Sequence, residues 1–107
     1  MPTVQSILQL IDSTTEQITR SKQNWTAFLR TAAQLYKYPY AEQVMIYAQR
    51  LDAKACAEYD LWNRRMGRYV RRGSKGIALI DMTGDNPKIK YVFDVSDTGK
   101  TERSRRV

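Results

Sequence analysis

Between residues 61 and 80 the chain places six cations, Arg64, Arg65, Arg68, Arg71, Arg72 and Lys75, and no acid. Five of the six are arginine, and the type matters. A guanidinium is planar, always charged and forked, so it meets a phosphate at two points and stacks on a flat ring. Gly67, Gly73 and Gly76 punctuate the same stretch, removing side chains where a backbone could approach a ligand and offer its amides. Trp62 and Tyr69 are interleaved with the cations. Basic groups alternating with rings are what a protein uses to track a phosphate backbone and stack unpaired bases. The rival reading is a solvated turn that keeps the protein soluble, and the absence of acid over twenty residues weighs against it.

The basicity is local. The chain of 107 residues carries 18 Lys and Arg against 11 Asp and Glu, a net charge of +7. Residues 1–60 hold six of each sign, and residues 81–107 hold six cations and five acids, so +6 lies in that one stretch. Tyr38, Tyr40 and Tyr69 are the further candidates for stacking, because they flank a proline break or sit within the basic run. Lys88 and Lys90, on the side of their strand away from Ile89 and Tyr91, could extend the basic face, although solvated lysines are the plainer reading.

Other chemistries find little support. The chain has no histidine, which removes Ser-His-Asp and Cys-His nucleophile systems and the usual zinc sites. The glycines match neither phosphate-loop spacing. Asp81, Asp85, Asp94 and Asp97 read as turn and strand-end residues rather than as a metal cluster. Cys56 has no neighbouring base and reads as a small buried hydrophobe; a single cysteine makes no internal disulfide and suits a reducing cytoplasm. The longest apolar run, Val44 to Ala48, is five residues, and the N-terminus lacks a secretory pattern. The expectation is a non-catalytic cytoplasmic module with no metal, no cofactor, no membrane contact and no small-molecule substrate.

The elements that must position these residues follow from periodicity. Residues 3–20 repeat Val4, Ile7, Leu8, Ile11 and Ile18 on one helical face. A second helix is expected over 22–36, capped by Ser21, with Trp25, Phe28, Leu29, Ala32, Leu35 and Tyr36 inward. Pro39 breaks the pattern; a third helix covers 41–50 with Val44, Tyr47, Ala48 and Leu51 inward. A short fourth, near 58–66, buries Tyr59, Trp62 and Met66 and ends at Gly67. The period then turns strand-like: 68–71, a turn at 73–76, 77–82, a turn at 83–87, and 88–95 with Ile89, Tyr91, Phe93 and Val95 on the core side. The class is α+β, three to four N-terminal helices on a small antiparallel sheet or hairpin. The domain spans 1–98, and 99–107 reads as a polar basic tail or the start of a linker.

The stretch from Trp62 to Ile77 resembles the N-terminal domain of ArdC-type antirestriction proteins, which carries a tryptophan followed by a "GR-x-V-(K/R)-KGEKG-I" motif. Val92-Phe93-Asp94-Val95-Ser96-Asp97-Thr98 is similar to that domain's "VFD(I/V)SQT", and 40–49 to its helix ending in Gln. The likeness covers residues 24–98. It matches at Trp62, Gly67, Arg68, Val70, Arg71, Arg72, Gly73, Lys75 and Gly76, and departs at Leu51 for Pro, Ser74 for Glu and Asp97 for Gln. The resemblance implies single-stranded DNA as partner and a place at the start of a larger bacterial mobile-element protein, beside helicase or methylase domains. The zinc-peptidase domain of full-length relatives has no counterpart here. The alternative is a protein-interaction module that docks an acidic partner or another domain of its parent chain.

Overall fold

In the computed structural model, which describes residues 2–101, three α-helices open the chain. Helix α1 (Val4–Thr19) starts in a capping box: Thr3 Oγ1 accepts from the Ser6 amide at 3.0 Å while Ser6 Oγ accepts from the Thr3 amide at 2.9 Å. Two amides that an open helix end leaves bare are thereby satisfied. Helix α2 (Lys22–Gln34) is capped by Ser21, whose hydroxyl accepts from the Asn24 amide at 3.0 Å. Helix α3 (Tyr40–Gln49) begins directly after Pro39. A five-residue π-helical turn, Leu61–Arg65, takes the place of the expected fourth helix and ends at Gly67, whose φ of 63° is the left-handed stop a glycine supplies.

The strands form two sheets. Strands β1 (Cys56–Ala57), β3 (Ile77–Asp81) and β4 (Lys88–Asp94) make an antiparallel sheet in the order β1-β4-β3. Strand β2 (Arg68–Val70) pairs with β5 (Thr98–Lys100) in a separate two-stranded ribbon. The architecture is α+β, as the periodicity predicts.

Three expectations are corrected. The basic run is not a hairpin: β2 pairs with β5 across roughly thirty residues, and Gly73, at φ 85°, turns the chain away before β3 joins β4. The domain does not end at 98, because Gly99 and Lys100 complete the ribbon; residues 102–107 of the expected tail lie outside the described residues. The burial of β4 is also reversed over its second half, although Ile89 packs against the core as expected. Val92 and Asp94 are buried, Ile89 and Phe93 half-buried, and Tyr91 exposed. Gly76 explains part of this: a Cβ there would lie 3.0 Å from Tyr91 Cδ1 and 3.3 Å from Phe93 Cζ, so the basic loop itself rests on these rings.

The main core joins Ile7 of α1 and Met45 and Ile46 of α3 to Ile77, Leu79 and Val92 of the sheet. A second cluster, Ile18, Phe28, Ala32 and Val44, binds the helices to one another. Phe28 fills the space between α2 and α3, edge-on to Tyr40 and Tyr47 at 5.9 and 5.4 Å. Trp25, expected in the core, is 37% exposed and covers Phe28 from outside at 5.6 Å. Leu29 and Tyr36 of α2's expected inner face, and likewise Leu8, Leu51 and Tyr59, are exposed. Helix α2 meets the core through Phe28, Thr31, Ala32 and Leu35 alone, a narrower stripe than its composition suggests.

Gln49 closes an otherwise open strand edge. Its amide donates to the Ala78 carbonyl and accepts from the Ala78 amide, both at 2.8 Å, as a neighbouring strand would. Asp94, 1% exposed, does the corresponding work at β1. One carboxylate oxygen accepts from the Lys54 and Ala55 amides at 2.8 and 3.1 Å, the other from the Ser96 amide and hydroxyl at 3.1 and 2.6 Å. Burial acts to raise this carboxyl's pKa, and the hydrogen bonds from Ser96, Lys54 and Ala55 outweigh it and hold the group below the usual range.

Cys56 sits beside that carboxylate, Sγ 3.8 Å from Asp94 Oδ1. Burial first, and then the Asp94 charge, push its thiol up to about 12. Since the thiolate is the nucleophile, native protein at pH 8 is expected to resist iodoacetamide, while urea-unfolded protein alkylates at the rate of a free cysteine. Mass spectrometry of timed samples reads the difference, and equal rates in the two states would contradict the assigned environment.

Candidate nucleic-acid interface

Folding divides the basic run by what each side chain is tied to. Arg68 is half-buried on the ribbon and donates from Nε to Thr98 Oγ1 at 2.7 Å. Arg71 donates from Nη1 to the Ser96 carbonyl at 2.5 Å, and its amide donates to the Asp97 carbonyl at 2.8 Å. Arg68 thus ties the two ribbon strands together, Arg71 fastens the loop to the turn Val95–Asp97, and both guanidinium groups are partly spent. That turn is itself tied to α3 through Arg50, which pairs with Asp97 Oδ2 at 2.7 Å and donates to Ser96 Oγ at 2.6 Å. Asp97, the residue that departs from the resembled motif, thus has a structural partner.

Arg64, Arg65, Arg72 and Lys75 are exposed, and among the described residues none has an ion-pair or hydrogen-bond partner for its side chain. Arg64 and Arg65 project from the π turn into a groove that also carries Glu58 and Asp60, so local acid partly offsets them. Arg72 and Lys75 sit on the loop that Gly73 turns and Gly76 seats on Tyr91 and Phe93. Lys100 is also exposed and unpaired among the described residues; it lies opposite Arg68 in the ribbon register, on the face of the ribbon away from Tyr69. Expecting the domain to stop at 98 hid it.

Tyr69 is the ring this surface presents. It is 51% exposed and lies across the ribbon from Gly99. A Cβ on Gly99 would come within 2.3 Å of Tyr69 Cζ, so the ring rests directly on the glycine backbone with one face covered. A ring laid over a cross-strand glycine is held flat and fixed, which spares a ligand the cost of ordering it. Gly67 is tied into the same ribbon by the Thr101 hydroxyl, which donates to its carbonyl.

The structure brings none of the other sequence candidates to this surface as free groups. Tyr38 is half-buried and donates its hydroxyl to the Cys56 carbonyl at 2.8 Å, and burial raises its pKa. Its role is packing, a correction to its reading as a stacking residue. Tyr40 spends one edge on Phe28 at the α2–α3 contact. Lys90 pairs with Glu42 of α3 at 3.6 Å, so the side of β4 opposite Tyr91 is helix-covered there, not a basic face. Lys88 is exposed in register with Asp81. Trp62 is 2% exposed and donates from its indole to the Phe93 carbonyl at 2.8 Å, locking the π turn to β4.

No family model, curated protein or solved structure matches this chain. The reading of the site therefore stands on its own geometry. Among the described residues, no three His, Cys, Asp or Glu side chains gather as a metal site requires, and no helix is long and apolar enough to cross a membrane.

Proposed function

We propose that the chain binds single-stranded DNA, without sequence preference, across the β2–β5 ribbon and the Arg71–Lys75 loop. One observation carries the reading: the basic stretch and the ribbon together present five exposed cations without partners among the described residues, Arg64, Arg65, Arg72, Lys75 and Lys100, and a half-exposed tyrosine held flat on glycine. The cations take phosphates, and the free face of Tyr69 takes a base. A base in a duplex is already stacked on both sides, so the ring selects unpaired strands. The resemblance to antirestriction domains points to the same partner.

Anisotropy of a labelled oligonucleotide, single-stranded against duplex, across a salt series tests this. Single strands are expected to bind more tightly, with log affinity falling against log salt by about 0.7 for each phosphate neutralised, about 3.5 if five cations each meet one. Arg72→Glu then lowers the slope by about 0.7 or more and weakens binding several-fold at low salt. Absence of binding at low salt, or a duplex held as tightly as the single strand, overturns the proposal.

A further inference from the structure

A second surface has a different chemistry. A cleft of about 570 Å³ opens between the α2–α3 connection, β1 and the π turn. Its lining is largely aliphatic: Ala55, Leu61, Met66 and Val95, with Leu35 and Ala57 almost wholly buried. Trp62 underlies it but is 2% exposed, so it offers no ring face, and Tyr38 is committed to the Cys56 carbonyl. Such volume and lining suit one or two apolar side chains.

The rim gives the polarity. Lys37 and Lys54 line the cleft, and Lys54 also lines the shallow groove beside it together with Arg30. None of the three has an acidic partner among the described residues. Asp52, which lines that shallow groove, is paired with Arg50 at 3.5 Å. Glu58 and Asp60 lie toward the opposite end, in the groove of Arg64 and Arg65. Tyr36, 76% exposed with Lys37 Nζ 6.0 Å from its ring centre, stands at the mouth and adds an apolar wall.

We infer that this cleft docks a short acidic peptide segment of a partner protein, its apolar side chain in the cleft and its carboxylates at Lys37 and Lys54. A nucleobase is the poorer fit, because the open ring, Tyr36, stands at the mouth and the lining below it is aliphatic, so a base stacked there would leave the cleft unfilled. The partner's charge follows from the rim, since the charged side chains that line the cleft itself are Lys37 and Lys54, and the acids Glu58 and Asp60 lie in the adjoining groove. This site is independent of the ribbon, so either can fail alone.

The test uses the whole chain and a fluorescein-labelled peptide with Leu-Phe set between two runs of Asp. Saturable binding is expected, weakened about tenfold when Ser-Ser replaces Leu-Phe. The double variant Lys37→Glu, Lys54→Glu raises the Kd about tenfold, with an unchanged circular-dichroism spectrum, since both residues are exposed. Lys22→Glu, at the other end of α2, leaves the Kd unchanged. The inference is overturned if the Ser-Ser peptide binds equally well or if the double variant binds as the parent does. It is equally overturned if the peptide does not bind while the double variant loses affinity for a single-stranded oligonucleotide, which would make the cleft part of a nucleic-acid path.

Discussion

Replacing Asp94 by alanine lowers the melting temperature at pH 7 by roughly 15 °C, the largest loss expected of any single polar substitution in this fold. The carboxylate is the shared acceptor for the Lys54, Ala55 and Ser96 amides and the Ser96 hydroxyl. Removing it strands several donors at a site where Asp94 itself is 1% exposed, a cost of roughly 3 kcal/mol or more. A domain of this size has about 5–15 kcal/mol of stability in all. Asp94→Asn keeps one accepting oxygen and is expected to fall between parent and alanine variant. The pH dependence has a definite sign. The folded carboxyl titrates below its unfolded value of about 3.9, so its contribution is complete above that value and is lost as pH falls through the lower folded one. The gap between parent and Asp94→Ala is therefore wide at pH 7 and narrower at pH 3. Thermal melts followed by circular dichroism at the two pH values measure both effects, and equal melting temperatures at pH 7 would show that the amides find other partners.

Asp94 also marks the boundary of what the sequence reveals. Helices α1 to α3 and their Ser21 cap follow from period and capping chemistry, which are local. The face of β4 does not. Ile89, Tyr91 and Phe93 are the more apolar set, yet Val92 and Asp94 lie deepest, because Asp94 adds the distant Lys54 and Ala55 amides to its local Ser96 donors and Lys90 finds Glu42 on α3. A polar residue whose partners come from distant chain can be buried without penalty, and alternation cannot register that. The pairing of β2 with β5 is hidden for the same reason: three residues with a central glycine carry no strand signal, and the pairing spans β3 and β4. The cations were legible as a group, but not their division. Arg68 is drawn into the ribbon and Arg71 into fastening the loop, while Lys100, opposite Arg68, is left exposed. The motif that most suggested function therefore mixes holding residues with free ones.

Tyr69→Ala is expected to weaken single-stranded DNA binding by about thirtyfold, near 2 kcal/mol, while Tyr69→Phe retains most of the affinity, because stacking uses the ring and not the hydroxyl. The same ring also covers the ribbon, so a loss of affinity alone would not separate stacking from support. Gly99 offers one separation. An alanine there puts a Cβ within 2.3 Å of Tyr69 Cζ, and the ring must leave its seat while its chemistry is intact. If a fixed ring is what the strand uses, Gly99→Ala weakens binding nearly as much as Tyr69→Ala, although no ligand-contacting atom has been removed. The ligand supplies the second separation. On a strand with abasic sites throughout, phosphates and cations are unchanged but there is nothing to stack, so the parent is expected to fall to the affinity of Tyr69→Ala and the variant to change little. Were the two proteins to differ equally on both strands, the tyrosine would be acting through the ribbon's geometry, positioning Lys100 and the loop, and the preference for unpaired strands would need another source. Convergence on the abasic strand, with a salt slope common to both proteins, would place the base on the ring and leave the phosphates to the cations.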